Sequence, residues 1–310
     1  MSALVVWPSV LGLSFFIAGL YMYRADLFGR ASSGRSRILS LAPVFIAAPL
    51  ATFAGEHFTA TQDLARLVPK WLPGRVPITY FVGVALTAAA LSFVARRCIR
   101  WSAPLLALMF ALFVLLLHLP NAIAHARMHI FWVFPFRESE FALGALSVFV
   151  YESQGTPGTW AARHSNKFAL IARLFTSIVI IYFGTQNILY PQYSPGVPDQ
   201  RPTSAWVPHP LLLAYFVGAV LVTFGIAMLF KKTASIAITS VGIFMTALTI
   251  GLFTPDLFLA HGIPDRVTAI NFVADTLFFA GTMFAVARAI EATERIAKTE
   301  PAAVVGSAVA

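Results

Sequence analysis

The side chains in this 310-residue chain that could do chemistry lie at the ends of long apolar runs. Glu56 and His57 stand side by side at the close of one run. His118 and Asn121 close another and are followed by His125, Arg127 and His129, and Arg137, Glu138 and Glu140 open the next. Further along come Gln186, Asn187, Asp256, Asn271 and Asp275. Ionisable groups inside a bilayer are costly and rare, which makes each a functional candidate. A histidine beside a carboxylate can relay protons, so Glu56 and His57 form the expected catalytic pair. His118, His125, Glu138, Glu140, Asn271 and Asp275 are the expected ligand-binding groups, since an amphipathic head group needs an apolar cleft with a few convergent polar atoms. The structural alternatives stay open. Glu56 could pair with Arg66 or Arg75 and tie down a loop, and Asp275, with Asn271 four residues earlier on the same helical face, could be packing glue.

A metal or haem reading of His57, His118, His125, His129 and Glu56 suits the chemistry of copper, iron or zinc. His118, His125 and His129 fall at helical spacing, but Pro120 lies between the first two and can end the helix. No HExxH or comparable spacing is present, and no metal site is assigned. The single cysteine, Cys98, excludes an internal disulfide and any cysteine-based cluster.

The elements that must position these groups follow from composition. The chain is 58% hydrophobic and 11% charged, with a mean hydropathy of +0.78. Soluble domains carry about a quarter charged residues, so this chain cannot cover itself with a wetted surface. Its net charge of +9 comes from short basic clusters between apolar runs rather than a continuous stripe, which excludes nucleic acid as a partner. The expected fold is an all-α polytopic transmembrane bundle. Runs of membrane-spanning length fall at 3–22, 38–58, 78–95, 102–121, 168–188, 210–230, 234–254 and 268–290. A ninth, 137–151, is short and begins with its charges. The first run has neither a basic n-region nor a small-residue cleavage motif, and is expected to be retained.

Orientation follows from the basic residues between spans. With about nine spans and the N-terminus outside, 15 of the 22 Lys and Arg fall on the cytoplasmic side, including Arg35, Arg37, Arg96, Arg97, Lys231, Lys232 and Arg288. The C-terminus is then cytoplasmic, and the expected location is the inner membrane with membrane lipids as partners. Omitting 137–151 would invert everything after it.

An internal repeat organises the spans. Trp71-Leu-Pro73 matches Trp206-Val-Pro208 at a separation of 135 (206 − 71). In the same register Tyr80-Phe-Val-Gly83 matches Tyr215-Phe-Val-Gly218, Arg96-Arg97 matches Lys231-Lys232, and Pro120 matches Pro255. Upstream, Gly55-Glu-His-Phe58 aligns with Gly184-Thr-Gln-Asn187 after a shift of about six residues, absorbed in a loop. The expected organisation is an added helix and basic loop at 1–37, four-helix units at 38–152 and 168–290 inserted in the same direction, and a disordered tail at 291–310.

The unit resembles the DoxX family of small four-helix membrane proteins. The likeness rests on Gly55-x-His57-Phe58, Val68-Pro69-x-Trp71-Leu72-Pro73 and Tyr80-Phe81-x-Gly83. It covers 38–152 and, more weakly, 168–290, and the tandem form with an extra helix departs from the usual single unit. The resemblance implies a fold and a lean toward quinone-linked redox chemistry. This chain lacks cysteine ligands and nucleotide or flavin motifs, so a redox role implies a membrane or soluble partner that carries the cofactor. Two other classes remain open: a lipid-binding or complex-assembly protein, and a small-molecule transporter. Sparse midplane charge counts against the transporter, while Asp275 speaks for it.

Overall fold

The computed structural model describes residues 2–29, 34–153 and 160–306, with the side chains of 160–162 and 296–306 left undescribed. The chain is an all-α multi-pass membrane bundle. Among the described residues, eight helical stretches are long and apolar enough to cross a bilayer. In chain order the helices are α1 (Ala3–Met22), α2 (Arg24–Phe28), α3 (Gly34–Ser40), α4 (Ala42–Thr59), α5 (Thr61–Leu64), α6 (Arg75–Ala95) and α7 (Ile99–Phe113). They continue with α8 (Leu119–Ala124), α9 (His129–Ser153), α10 (Trp160–Leu189), α11 (Pro210–Met228), α12 (Lys231–Leu248), α13 (Thr254–Leu259) and α14 (Gly262–Gly306). Of the tail expected to be disordered, 307–310 lies outside the described residues.

The span expected at 137–151 starts eight residues earlier than its apolar run (137 − 129). α9 has 25 residues, about 37 Å at 1.5 Å each, enough to cross the hydrocarbon layer. Arg137, Glu138 and Glu140 depress its hydropathy, yet both glutamates are buried and paired inside the bundle.

α9 and α14 pack together at the centre. Phe141 stacks on Phe278 with ring centroids 3.9 Å apart, and Gly144 lies against Thr282. α14 also seats on α4, where a Cβ at Gly281 would come within 2.9 Å of Ile46, and α10 packs on α9. α4 pairs with α6, and α10 with α11. These two pairs approach closely because a Cβ at Gly83 would meet Phe58 at 2.7 Å, and one at Gly218 would meet Ile188 at 2.7 Å and the Gly184 carbonyl at 2.8 Å. α1 lies against the outside of α4 and leaves Trp7, Leu13 and Ile17 exposed, as lipid contact requires.

Two π-helical turns, Val114–His118 and Thr249–Phe253, join α7 to α8 and α12 to α13. Their separation is 135 (249 − 114). Each is followed at the second residue of the next helix by a proline, Pro120 or Pro255. Proline has no N–H and its ring crowds the carbonyl four residues back, and the wider π turn relieves both problems. The entries to α6 and α11 also match: Gly74 and His209 both adopt left-handed backbone, with φ of 70° and 50°.

The basic end of the bundle is tied by side chains. The Tyr23 hydroxyl donates to the Phe93 carbonyl at 2.9 Å, Arg96 pairs with Asp26, and Arg35 pairs with Glu291 at 2.8 Å. Burial pushes the Tyr23 phenol well above its ordinary range, keeping it a neutral donor. At the opposite end, the loop between α10 and α11 folds back into the bundle. Asn187 clamps it by accepting from the Gly196 N–H at 2.9 Å and donating to the Gly196 carbonyl at 3.0 Å.

Candidate functional site

Glu56 ends α4, Asn271 and Asp275 lie one turn apart on one face of α14, and Arg137 and Glu138 lie inside α9. The packing of α14 against both α4 and α9 brings these five side chains together. Arg137 donates through Nη1 to Asp275 Oδ2 at 2.8 Å and through Nη2 to Glu138 Oε1 at 3.1 Å. Glu56 stands beside Asn271 and is close enough to Asp275 and Arg137 for both charges to act on it. The Arg137, Glu138 and Asp275 side chains are 21%, 10% and 12% exposed, so this is an interior ion-pair network.

One guanidinium thus pairs with two carboxyl groups, and a third, that of Glu56, stands nearby. A buried pair repays its desolvation only where geometry is good and the remaining polar atoms are satisfied. Here Glu56 Oε1 and Arg137 Nε are buried with no hydrogen-bond partner in the protein. Such a site has carboxyl capacity beyond what its single cation offsets, and it can take up a proton or a donor group from a ligand. His118, in the π turn before Pro120, stands near Arg137 and stacks on Phe134 at 5.7 Å. The Arg137 guanidinium also lies over that ring, 5.2 Å from its centroid.

The remaining expected site residues lie elsewhere. His57 and Glu56 do not form a working pair, because adjacent residues on a helix point about 100° apart. The His57 Nδ1 is instead engaged with the Phe53 carbonyl at 2.8 Å, and its Cβ lies close beside Gly83. His125 is exposed, stacked on Phe131 at 4.4 Å and bonded to the Asn121 carbonyl. Glu140 is fully buried and accepts from the Thr176 hydroxyl at 2.6 Å, facing α10 and not the network. It sits 135 residues before Asp275 (275 − 140), so matching positions carry carboxyls with different partners. Arg66 pairs with Asp63 and not with Glu56. His129 stacks on Tyr190 at 3.6 Å, and Asp256 accepts from the Trp206 indole at 2.6 Å. Among the described residues, no group of three or more His, Cys, Asp or Glu is arranged to hold a metal ion.

The residue that sequence reasoning undervalued is Arg137, the hub of the network. Its signal was present: a basic residue followed by two acids within an apolar stretch from Ile130 to Val150. Read as the charged start of a span at 137–151, it passes for a boundary marker. Comparisons of the chain with protein-family models, curated proteins and solved structures find no match.

Proposed function

We propose that this membrane protein exchanges protons at the Glu56–Asn271–Asp275–Arg137–Glu138 network and uses them in quinone-linked redox chemistry, alongside a partner that carries the redox cofactor. The observation that carries the reading is Arg137 held between Glu138 and Asp275, with the Glu56 carboxyl beside them in the bundle interior. Reducing a quinone consumes two electrons and two protons. A membrane subunit serving that step needs hydrogen-bond donors for a carbonyl oxygen and a carboxyl that can load and discharge a proton. Arg137 and Asn271 are the donors, Glu56 and Asp275 the carboxyls. His57, bound to its own helix, is not part of this relay.

The architecture we propose is two DoxX-like units inserted in the same direction in an inner membrane, N-terminus outside and C-terminus cytoplasmic. The matched π turns, the matched left-handed residues before α6 and α11, and the glycine contacts of Gly83 and Gly218 support the duplication. A second reading, a proton-coupled transporter, is favoured by the paired helix interruptions, since breaks at corresponding positions of two halves mark substrate sites in repeat transporters.

The test is mass spectrometry of small molecules co-extracted with gently purified wild type and Glu56→Gln, together with proton flux in liposomes. Stoichiometric quinone in wild type that is lost in the variant supports the quinone reading. No quinone but solute-dependent proton flux favours the transporter. A phospholipid retained equally by both, without flux, overturns both and leaves a lipid-binding or assembly role.

A further inference from the structure

The proton-exchange reading leaves open how protons reach a network enclosed by three helices, and the loop between α10 and α11 supplies a route. Its residues Ser194 to Val197 are buried in the end of the bundle. Beneath it is a cavity of about 10 Å³, the room one water molecule requires, lined by His129, Gln186, Asn187, Tyr190, Ser194 and Asp199 among others. Two of these side chains bring unpaired acceptors. Gln186 is 7% exposed and its Oε1 has no partner in the protein, and the Nδ1 of the half-buried His129 has none either. The amide of Asn187 is already committed, to Gly196 and to the Phe183 carbonyl at 2.7 Å, and it holds the loop in place. The His129 ring is fixed by its stack on Tyr190.

We infer that this cavity is a water site lined by His129, Gln186 and Asp199, and that it is the proton entry to the Arg137 network. The inference rests on the proton-exchange reading of that network. A bound water donates its two hydrogens to Gln186 Oε1 and His129 Nδ1, the latter as the Nε2–H tautomer. When one of its lone pairs takes a proton from bulk water at the loop surface, the water gives up the hydrogen it shares with His129 to the Nδ1, so one proton arrives as one moves inward. The two sites share a helix: His129, which lines the cavity beside Asp199, is the first residue of α9, and Arg137 and Glu138 lie on α9 about two turns further in. The acceptors of the lining, its Asp199 carboxylate and its lack of a lysine or arginine favour water or hydronium over an anion. The loop is then a cap that admits protons one water at a time and excludes larger solutes.

The test is the rate of hydrogen–deuterium exchange at the network carboxyls, read from their infrared C=O band after a switch to D₂O in reconstituted full-length protein. Gln186→Leu removes one acceptor. His129→Phe removes the other and keeps a flat ring on Tyr190. Each variant is expected to slow the exchange by about tenfold or more while leaving the equilibrium amplitude of the band unchanged. Exchange at the wild-type rate in both variants overturns the entry assignment but leaves the network reading intact. Absence of any protonated-carboxyl band in wild type overturns the reading beneath it as well. Should either variant unfold, high-resolution density decides: an ordered water between Gln186 and His129 supports the site, and its lack overturns it.

Discussion

Arg137 holds the network together, because two carboxylates depend on it away from water. Removing one member of a buried pair leaves an uncompensated charge, whereas removing all members together is often neutral. Arg137→Leu is therefore expected to cost about 3–5 kcal/mol by reversible unfolding in mild detergent, and the triple change with Glu138→Gln and Asp275→Asn should recover most of it. A triple variant as unstable as the single one would mean that the guanidinium contributes by packing alone. Thr176→Val strips Glu140 of its one hydrogen bond and should cost about 1–3 kcal/mol in the same assay. At this scale the sequence was partly legible. Glu56, Glu138, Asn271 and Asp275 were recognisable because polar groups in apolar runs stand out. Which of them meet was not, since that depends on the crossing of α4, α9 and α14. The pairing of Glu56 with His57 failed for a local reason: side-by-side positions on a helix diverge.

Among the elements, the helices were the most legible part of the chain, because 20-residue apolar runs leave little choice of structure in lipid. α9 was the exception at its start. Its charges lie where the helix is already inside the bundle, so hydropathy begins the span eight residues too late (137 − 129). The π turns were foreshadowed by Pro120 and Pro255, though the sequence could not distinguish a kink, a helix end and a π turn. Gly83 and Gly218 hold α4 to α6 and α10 to α11 at a distance that admits no side chain. Gly83→Leu should push α4 away from α6 and lower the unfolding midpoint by several degrees, whereas Gly251→Ala, where a Cβ meets nothing within 4 Å, should leave it unchanged or slightly higher. Equal effects at the two positions would contradict the packing described for α4 and α6.

For the whole molecule, orientation and proton exchange are the claims that matter most. Cys98, exposed in the turn between α6 and α7, is a natural reporter of orientation. In the proposed topology a membrane-impermeant maleimide added to intact cells leaves it unlabelled, and labelling appears only after permeabilisation. Prompt labelling of intact cells would invert the bundle. The proposed duplication rests on a register of 135 shared by landmarks in loops, turns and helix starts. The asymmetry between the halves was less so, because Arg137 has Phe272 as its counterpart (137 + 135) and the network depends on that difference. The central claim is that Glu56 and Asp275 bind and release protons within the bundle. Its most direct test is infrared titration of the protonated-carboxyl band in lipid nanodiscs, comparing wild type with Glu56→Gln and Asp275→Asn. The account predicts a band that falls reversibly as pH rises and loses amplitude in each variant. A band that never titrates, or that titrates identically in all three proteins, would contradict it.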